Sequence, residues 1–434
     1  MSNLVKHASA QIRQMVLNAF GAAVGQGIVP PVPLRDFKTE FPRHNPEGSI
    51  RCDAAVLNAG ALQWEPRELA EVICRFLVFD EEYPGHCRID ETGMLWFSLR
   101  PQWYTGVLSD ILACQSAYGR SLYGKGKKLL VEVESAPASG SALTAQRTAL
   151  TAQVLSEVYT RSGYWVFRRL GRIPDGEEPL SSHQADLVGD FGFVPQEEPL
   201  KEQVCGKVLE LLETQGLARQ REGDWRYENG EDCCLLKENG RPTRFLWVLA
   251  SCYEAIAGQG YEEILRVCSG CREEETRMLE RAVKALCGAK LQVCLISSVK
   301  ESEQTGFGEA VRLLCCDTEP LKPLPIRQEN IEENSAFVLR MRALLDRCSG
   351  ADPVQEPSGL WEPQSLEETQ LVCKLALFSN CLLEVLAFHN PAILTQYLRE
   401  LVEIAERMAL HPPAAQCLLI TLHVALQILG IEAE

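Results

Sequence analysis

The chain has 434 residues, enough for two to four domains with separate cores, and its 46% hydrophobic and 24% charged content is that of an ordinary globular protein. A formal charge of −16 argues against a protein that coats nucleic acid indiscriminately, so no DNA role is expected. No segment reaches 18 uninterrupted apolar residues and the N-terminal MSNLVKHASAQIRQM is polar throughout, which predicts no membrane span, no secretory signal and a cytoplasmic location.

In chain order, Leu4, Ala8, Ile12, Met15, Val16 and Ala19 fall on one face of a helix over residues 4–24, ended by the Pro-rich VPPVPL. EPRELAEVICRFLV (Glu65 to Val78) is a second amphipathic helix with Pro66 in its first turn. GMLWFSL reads as a strand and PQWYTGVLSDILACQ as a helix, completing an α+β unit. GKGKKLLVEVES then opens a strand–turn–helix step into SALTAQRTALTAQVLSEVYTRSGY. SSHQADLVGDFGFVPQEEP reads as loop, KEQVCGKVLELLETQGLARQ as helix, and DWRY with CCLLKENGRPTRFLWVL as alternating strand and turn. EETRMLERAVKALCG followed by LQVCLISSV gives a further helix-to-strand step, so a parallel α/β layer is expected. Beyond EPLKPLPIRQ every pattern is helical: one helix from Asn330 to about Cys348, the linker SGADPVQEPSG, then three more helices, packed as a bundle.

Charge is uneven along these parts. Residues 1–130 hold 14 Lys+Arg against 13 Asp+Glu, whereas residues 326–434 hold 7 against 15. An RNA partner would therefore meet the N-terminal third. The 18 cysteines are scattered through apolar patterns and read as buried, reduced thiols; Cys268 and Cys271 form a C-x-x-C with no second ligand pair, so no metal site is expected. Asp190-Phe191-Gly192 has no partner motif, Thr305 to Gly308 reads as a turn, and Cys233-Cys234 and Cys315-Cys316 read as buried strand thiols. His389 and His411 fall near helix ends, in exposed or capping positions.

Several runs resemble the arginyl-tRNA synthetase family, class I, and they occur in that family's order. YGRSLYGKGKKLLVE (Tyr118 to Glu132) looks like the junction between the N-terminal tRNA-contacting domain and the catalytic domain, with EPRELAE and FSLRPQW upstream. ENIEENSAFVL, NPAILTQYLRELVEIAERM and LHVALQILGI look like helices of the family's DALR anticodon-binding bundle. The resemblance implies an N-terminal α+β domain (1–117), a Rossmann-like, HUP-type parallel α/β core (118–325) and a C-terminal DALR-type helical bundle (326–434).

The departures from the family fall on its chemistry. Its His-x-Gly-His, followed by Leu-Arg, is replaced by Ala142, Leu143, Thr144, Ala145, Gln146 and Arg147, leaving only Arg147. Imidazole donors stabilise charge that develops on the α-phosphate during adenylate formation, and alanine donates nothing. In GRPTRFLWVLASCY (Gly240 to Tyr253), which resembles the family's G-x-P-T-Y-x-x-R-D-x-A-Y, Arg244 and Val248 stand where a tyrosine and an aspartate would hold the substrate guanidinium. A guanidinium needs a carboxylate fork. Ser269 to Glu274 replaces the G-A-D-H-H-G turn, and Lys300 is the one candidate for the K-M-S-K lysine.

Losing one transition-state donor typically slows a reaction by about 10²–10³. A degenerate, non-catalytic relative is thus expected, binding tRNA, arginine tRNA included, or a protein of tRNA metabolism. It would need no cofactor and would carry only Arg147 and Lys300 as remnants of nucleotide binding. Arg120, Lys125, Lys127 and Lys128 are the RNA-contact candidates. Two alternatives stand beside this reading: a protein scaffold with an eroded RNA surface, and an ATP-dependent arginine–tRNA ligase with rewired motifs.

Overall fold

A computed structural model describes residues 3–42, 47–134, 141–171, 187–195, 202–221, 223–228, 233–270, 273–300, 307–350 and 359–433. The chain opens with helix α1 (Leu4–Gly25), N-capped by the Asn3 side chain, which accepts from the Lys6 amide. A four-stranded antiparallel sheet follows, in the order β1 (Thr39–Glu40), β2 (Ile50–Cys52), β4 (Leu95–Leu99), β3 (Pro84–Ile89). It packs with α2 (Ala54–Leu62), α3 (Pro66–Phe76) and α4 (Pro101–Cys114). The indole of Trp103, fully buried, donates to the Leu4 carbonyl at 3.2 Å and ties α4 to α1.

The centre of the molecule is a five-stranded parallel sheet. Its strands are β5 (Lys128–Glu134), β6 (Trp165–Gly171), β7 (Val194–Pro195), β11 (Glu263–Ser269) and β12 (Lys290–Ile296), ordered β12-β11-β5-β6-β7. Helix α5 (Ala142–Arg161) links β5 to β6 as a crossover. Because side chains alternate along a strand, β5 feeds two cores. Leu129, Val131 and Val133 join α5 and the C-terminal helices; Leu130 joins Ile264, Leu291 and the helices on the other face. Those helices are α6 (Glu202–Thr214), α7 (Arg244–Tyr253) and α8 (Glu273–Cys287), with the small antiparallel sheet of β8 (Ala218–Arg221), β9 (Asp224–Tyr227) and β10 (Cys233–Cys234) beside them. As expected for the inward face of α5, Leu150, Val154, Val158 and Tyr159 are fully buried.

After β12, the short β13 (Val299–Lys300) pairs with β14 (Leu324–Pro325) around α9 (Glu309–Asp317). Among the described residues five helices follow: α10 (Gln328–Ser349), α11 (Leu366–Ala376), α12 (Phe378–Phe388), α13 (Ala392–Glu406) and α14 (Pro412–Leu429). Helix α14 has the length and hydropathy of a membrane span but is mostly buried against the rest of the fold. The layout is α/β plus all-α, and one apolar core runs from α1 through the sheet to α14.

Several sequence expectations change. SSHQADLVGDFGFVPQEEP is not all loop: residues 187–190 are helical and Val194–Pro195 is strand β7, paired with β6. GRPTRFLWVL is not strand and turn: from Arg244 it is helix α7, capped by Thr243, because Phe245, Leu246 and Leu249 together fill the second core. Four helices, not three, follow α10, since the run from Leu366 to Phe388 bends by 45° between α11 and α12. ARQ, read as the end of a helix, is strand β8. No disulfide joins the described cysteines, and no group of metal-ligating side chains occurs among the described residues. Cys271, most of the 349–359 linker and residues 181–186 of the expected loop lie outside them.

Candidate functional site

In parallel α/β sheets, ligands bind beyond the carboxyl ends of the strands. Here that edge is formed by Glu134 of β5, Ser269 of β11, Ile296 of β12 and the start of α5. The loop 135–140 and residues 271–272 and 301–306 lie outside the described residues. What is described there is tied down internally. The Ser141 hydroxyl caps α5 by accepting from the Thr144 amide at 3.2 Å, and the Thr144 hydroxyl accepts from the Val299 amide at 2.9 Å. Segment β13 thus lies against the first turn of α5, with Val299 buried. Ala142 is half-buried and Ala145 is 2% exposed.

Arg147 is 0% exposed, and its guanidinium is spoken for by backbone. It donates to the carbonyls of Ser297 and Lys322 at 3.0 Å, Glu319 at 2.9 Å and Thr318 at 3.2 Å, and burial lowers its pKa from the usual guanidinium value. A residue expected as a remnant of nucleotide binding is a structural clamp on the 318–322 turn. Lys300 is exposed on β13.

The second face of the sheet carries charge where the strand pattern is otherwise apolar. Register places Glu132 of β5 beside Arg169 of β6 and Arg266 of β11. Glu132 accepts from both guanidiniums, Arg169 Nε at 2.8 Å, while Arg266 also reaches Glu134 at 3.3 Å. Arg244, from the first turn of α7, forms an ion pair with Glu134. Burial opposes the charge on Glu132, but Arg266 and Arg169 outweigh it and hold its carboxyl below the usual range. Burial likewise opposes the charge on Arg266, and Glu132 and Glu134 reverse the effect and raise its pKa. Arg244, Glu134, Arg266, Val248 and Glu275 line a depression of about 330 Å³. The chain thus supplies its own guanidinium beside Val248. The odd carboxylates in LLVEVE were the one visible signal of this network; their partners follow only from the register.

The four basic candidates lie at the opposite, amino-terminal rim of the sheet. Arg120 and Lys125 are exposed and Lys128 is half-buried, but Lys127 is held by Glu263 at 2.7 Å, a hydrogen-bonded pairing that raises its pKa. His389 is not exposed: it ends α12 in the left-handed region at φ 49°, with Nε2 2.9 Å from the Tyr159 hydroxyl. Burial, reinforced by Lys290, pushes its pKa down to about 4. His411 precedes α14 and contacts Glu368 at 3.2 Å. A groove of about 1200 Å³ separates α8 and β12 from α12 and α13, bordered by the exposed Phe388 and Leu321.

No protein-family model matches the chain. It is similar to the curated arginine–tRNA ligase of Caldanaerobacter subterraneus subsp. tengcongensis, 26% identical over 223 residues that cover 50% of this chain and 40% of that protein. It is also similar to that of Moorella thermoacetica, 30% identical over 204 residues covering 45% and 36%. The matches therefore span well under two thirds of these relatives' length. Among solved structures, the arginyl-tRNA synthetase of Plasmodium falciparum superposes with a TM-score of 0.71 over 98% of both chains at 12% identity. The Thermus thermophilus arginyl-tRNA synthetase gives 0.67 over 98% of this chain and 99% of that one at 15% identity. At those identities the superpositions establish a shared fold.

Proposed function

For a chain homologous to arginyl-tRNA synthetases, we propose a non-catalytic role in which tRNA remains the partner and the synthetase chemistry is lost. One observation carries this reading. The position that resembles the family's guanidinium anchor holds a guanidinium of the chain itself, Arg244 on Glu134, beside an apolar Val248. A second cation brought there would meet two guanidiniums, Arg244 and Arg266, with Glu134 already engaged by both and Glu275 the remaining carboxylate of the lining. The clamp role of Arg147 and the alanines at 142 and 145 support the same reading for the nucleotide side. An arginine–tRNA ligase with rewired motifs would need new donors for ATP in place of Ala142, Ala145 and the engaged Arg147.

Retained tRNA binding rests on the near-neutral N-terminal third and on Arg120, Lys125 and Lys128. Filter binding with total tRNA at about 50 and about 200 mM salt should show affinity falling steeply with salt, as phosphate contacts require. Changing Arg120, Lys125, Lys127 and Lys128 together to glutamine should weaken binding and flatten the salt slope by about two to three units, since each phosphate contact contributes roughly 0.7–0.9 and Lys127 is already paired. Unchanged affinity would remove the RNA surface from this rim. Absence of binding by the full chain would favour a protein-scaffold role, for which the acidic 326–434 segment and the exposed Phe388 and Leu321 speak.

A further inference from the structure

The amino-terminal rim of the parallel sheet carries more than lysines. Alternation along β6 puts Trp165 and Phe167 on one face, 61% and 44% exposed, and Tyr261 packs edge-on against Phe167 with ring centroids 5.3 Å apart. At the same rim, on the side of Lys127 and Tyr164, the turn 121–125 presents Leu122 and Tyr123, 71% and 65% exposed. That turn is pinned in place: the Ser121 amide donates to the Arg161 carbonyl and the Gly124 amide to the Ser162 carbonyl, both at 2.8 Å. Glycine is required at 124, where a Cβ would stand 2.0 Å from the Tyr164 ring. The rings are therefore held on fixed backbone.

One cation shares this face: Lys128 is the direct cross-strand neighbour of Trp165, whereas Lys127 lies on the other face of the sheet, its ammonium 5.9 Å from the Tyr164 ring centroid, and Lys125 is exposed in the pinned turn. Of the nearby carboxylates, Glu263 is paired with Lys127, and Glu262 accepts from the Lys128 amide while keeping its own charge. In a chain of net charge −16, the strip still sets Lys128 directly beside an exposed ring.

We propose that this strip is a stacking platform for unpaired nucleotides of an RNA, with bases against Trp165 and Phe167 and phosphates against Lys128. Every base has a π-face, so exposed rings flanked by cations accept single strands with little regard to sequence. A duplex keeps its bases stacked internally and offers the rings nothing comparable. The inference rests on the tRNA reading above and adds to it the kind of RNA segment bound and the place where it binds, on the rim opposite the carboxyl ends of the parallel strands.

The test uses the full chain and two probes, a fluorescein-labelled single-stranded 12-nucleotide uridine-rich RNA and total tRNA, followed by fluorescence anisotropy and competition at about 50 mM salt. Trp165→Ala should weaken single-strand binding by about fivefold to a hundredfold, the range for a lost base–aromatic stack, and Trp165→Phe should restore most of it. A 12-base-pair duplex should compete poorly. Since Trp165 is 61% exposed, melting should be unchanged in both variants. Single-strand affinity equal in wild type and Trp165→Ala would overturn the platform, as would no single-strand binding by the wild type. In the latter case, retained tRNA binding would leave the tRNA reading standing, whereas single-strand binding without tRNA binding would sink that reading and keep the platform. An unchanged RNA affinity accompanied by a Trp165→Ala shift from oligomer to monomer in sedimentation would make the strip a protein contact and also overturn the inference.

Discussion

Arg266→Met should lower the stability of the fold by about 3–5 kcal/mol, read as a shift in the urea midpoint at constant slope. Arg266 is 5% exposed at its side chain and stands between Glu132 and Glu134, which are 1% and 4% exposed. Removing it takes one guanidinium from each of two buried carboxylates, Glu132 beside Arg169 and Glu134 beside Arg244. The desolvation penalty of an unbalanced buried charge, rather than the worth of one ion pair, sets this magnitude. Replacing Glu132 with leucine in the same molecule should recover a large part of the loss, because a buried pair exchanged for apolar side chains is often close to neutral. A loss below about 1 kcal/mol for Arg266→Met would mean that water reaches the network. The sign of the pH dependence follows from the depressed pKa of Glu132. The unfolded chain takes up this proton first, near the ordinary value of 4.5, so stability supplied by the network is fully present above pH 4.5 and is lost as the pH falls toward the lower folded value.

Arg147→Ala is expected to be as damaging, for a different reason. Its guanidinium satisfies four carbonyls, those of Ser297, Thr318, Glu319 and Lys322, and with no exposed surface it leaves no route for water to replace it. Buried acceptors stripped of a charged donor cost about 1–3 kcal/mol each, with some relief from relaxation, so a total of about 3–5 kcal/mol is expected. Arg147→Lys should rescue little, since one compact ammonium cannot span carbonyls that a planar fork reaches. Hydrogen exchange should report the damage first at Thr318–Lys322. If Arg147→Ala melted like wild type, the clamp role would be wrong and a ligand role for this side chain would return.

These two arginines also show what could be read from the chain and what could not. The strand LLVEVE was legible as an apolar run buried on both faces, and helix α5 by a period of about 3.6 on Leu150, Val154 and Val158. Helix α7 was not, because Phe245 to Leu249 is a short apolar run that suits a buried strand as well as a helix, and the choice is made by the core it fills. Likewise the sequence placed Arg147 at a position of lost chemistry, yet its partners lie 150 to 175 residues away along the chain. The Glu132–Arg266 pair depends on the parallel register of β5 and β11, which no local pattern encodes. The alanines at 142 and 145 needed no such information, since a side chain without a donor cannot supply one in any fold.

ATP–pyrophosphate exchange with arginine, measured with and without tRNA on the purified full chain, tests the loss of synthetase chemistry most directly. With Ala142 and Ala145 at the start of α5, Arg147 bound to four carbonyls and Arg244 seated on Glu134, exchange should stay at the level of an empty-vector preparation under both conditions. Exchange clearly above that control, dependent on arginine and abolished by Lys300→Ala, would contradict it and identify an active ligase.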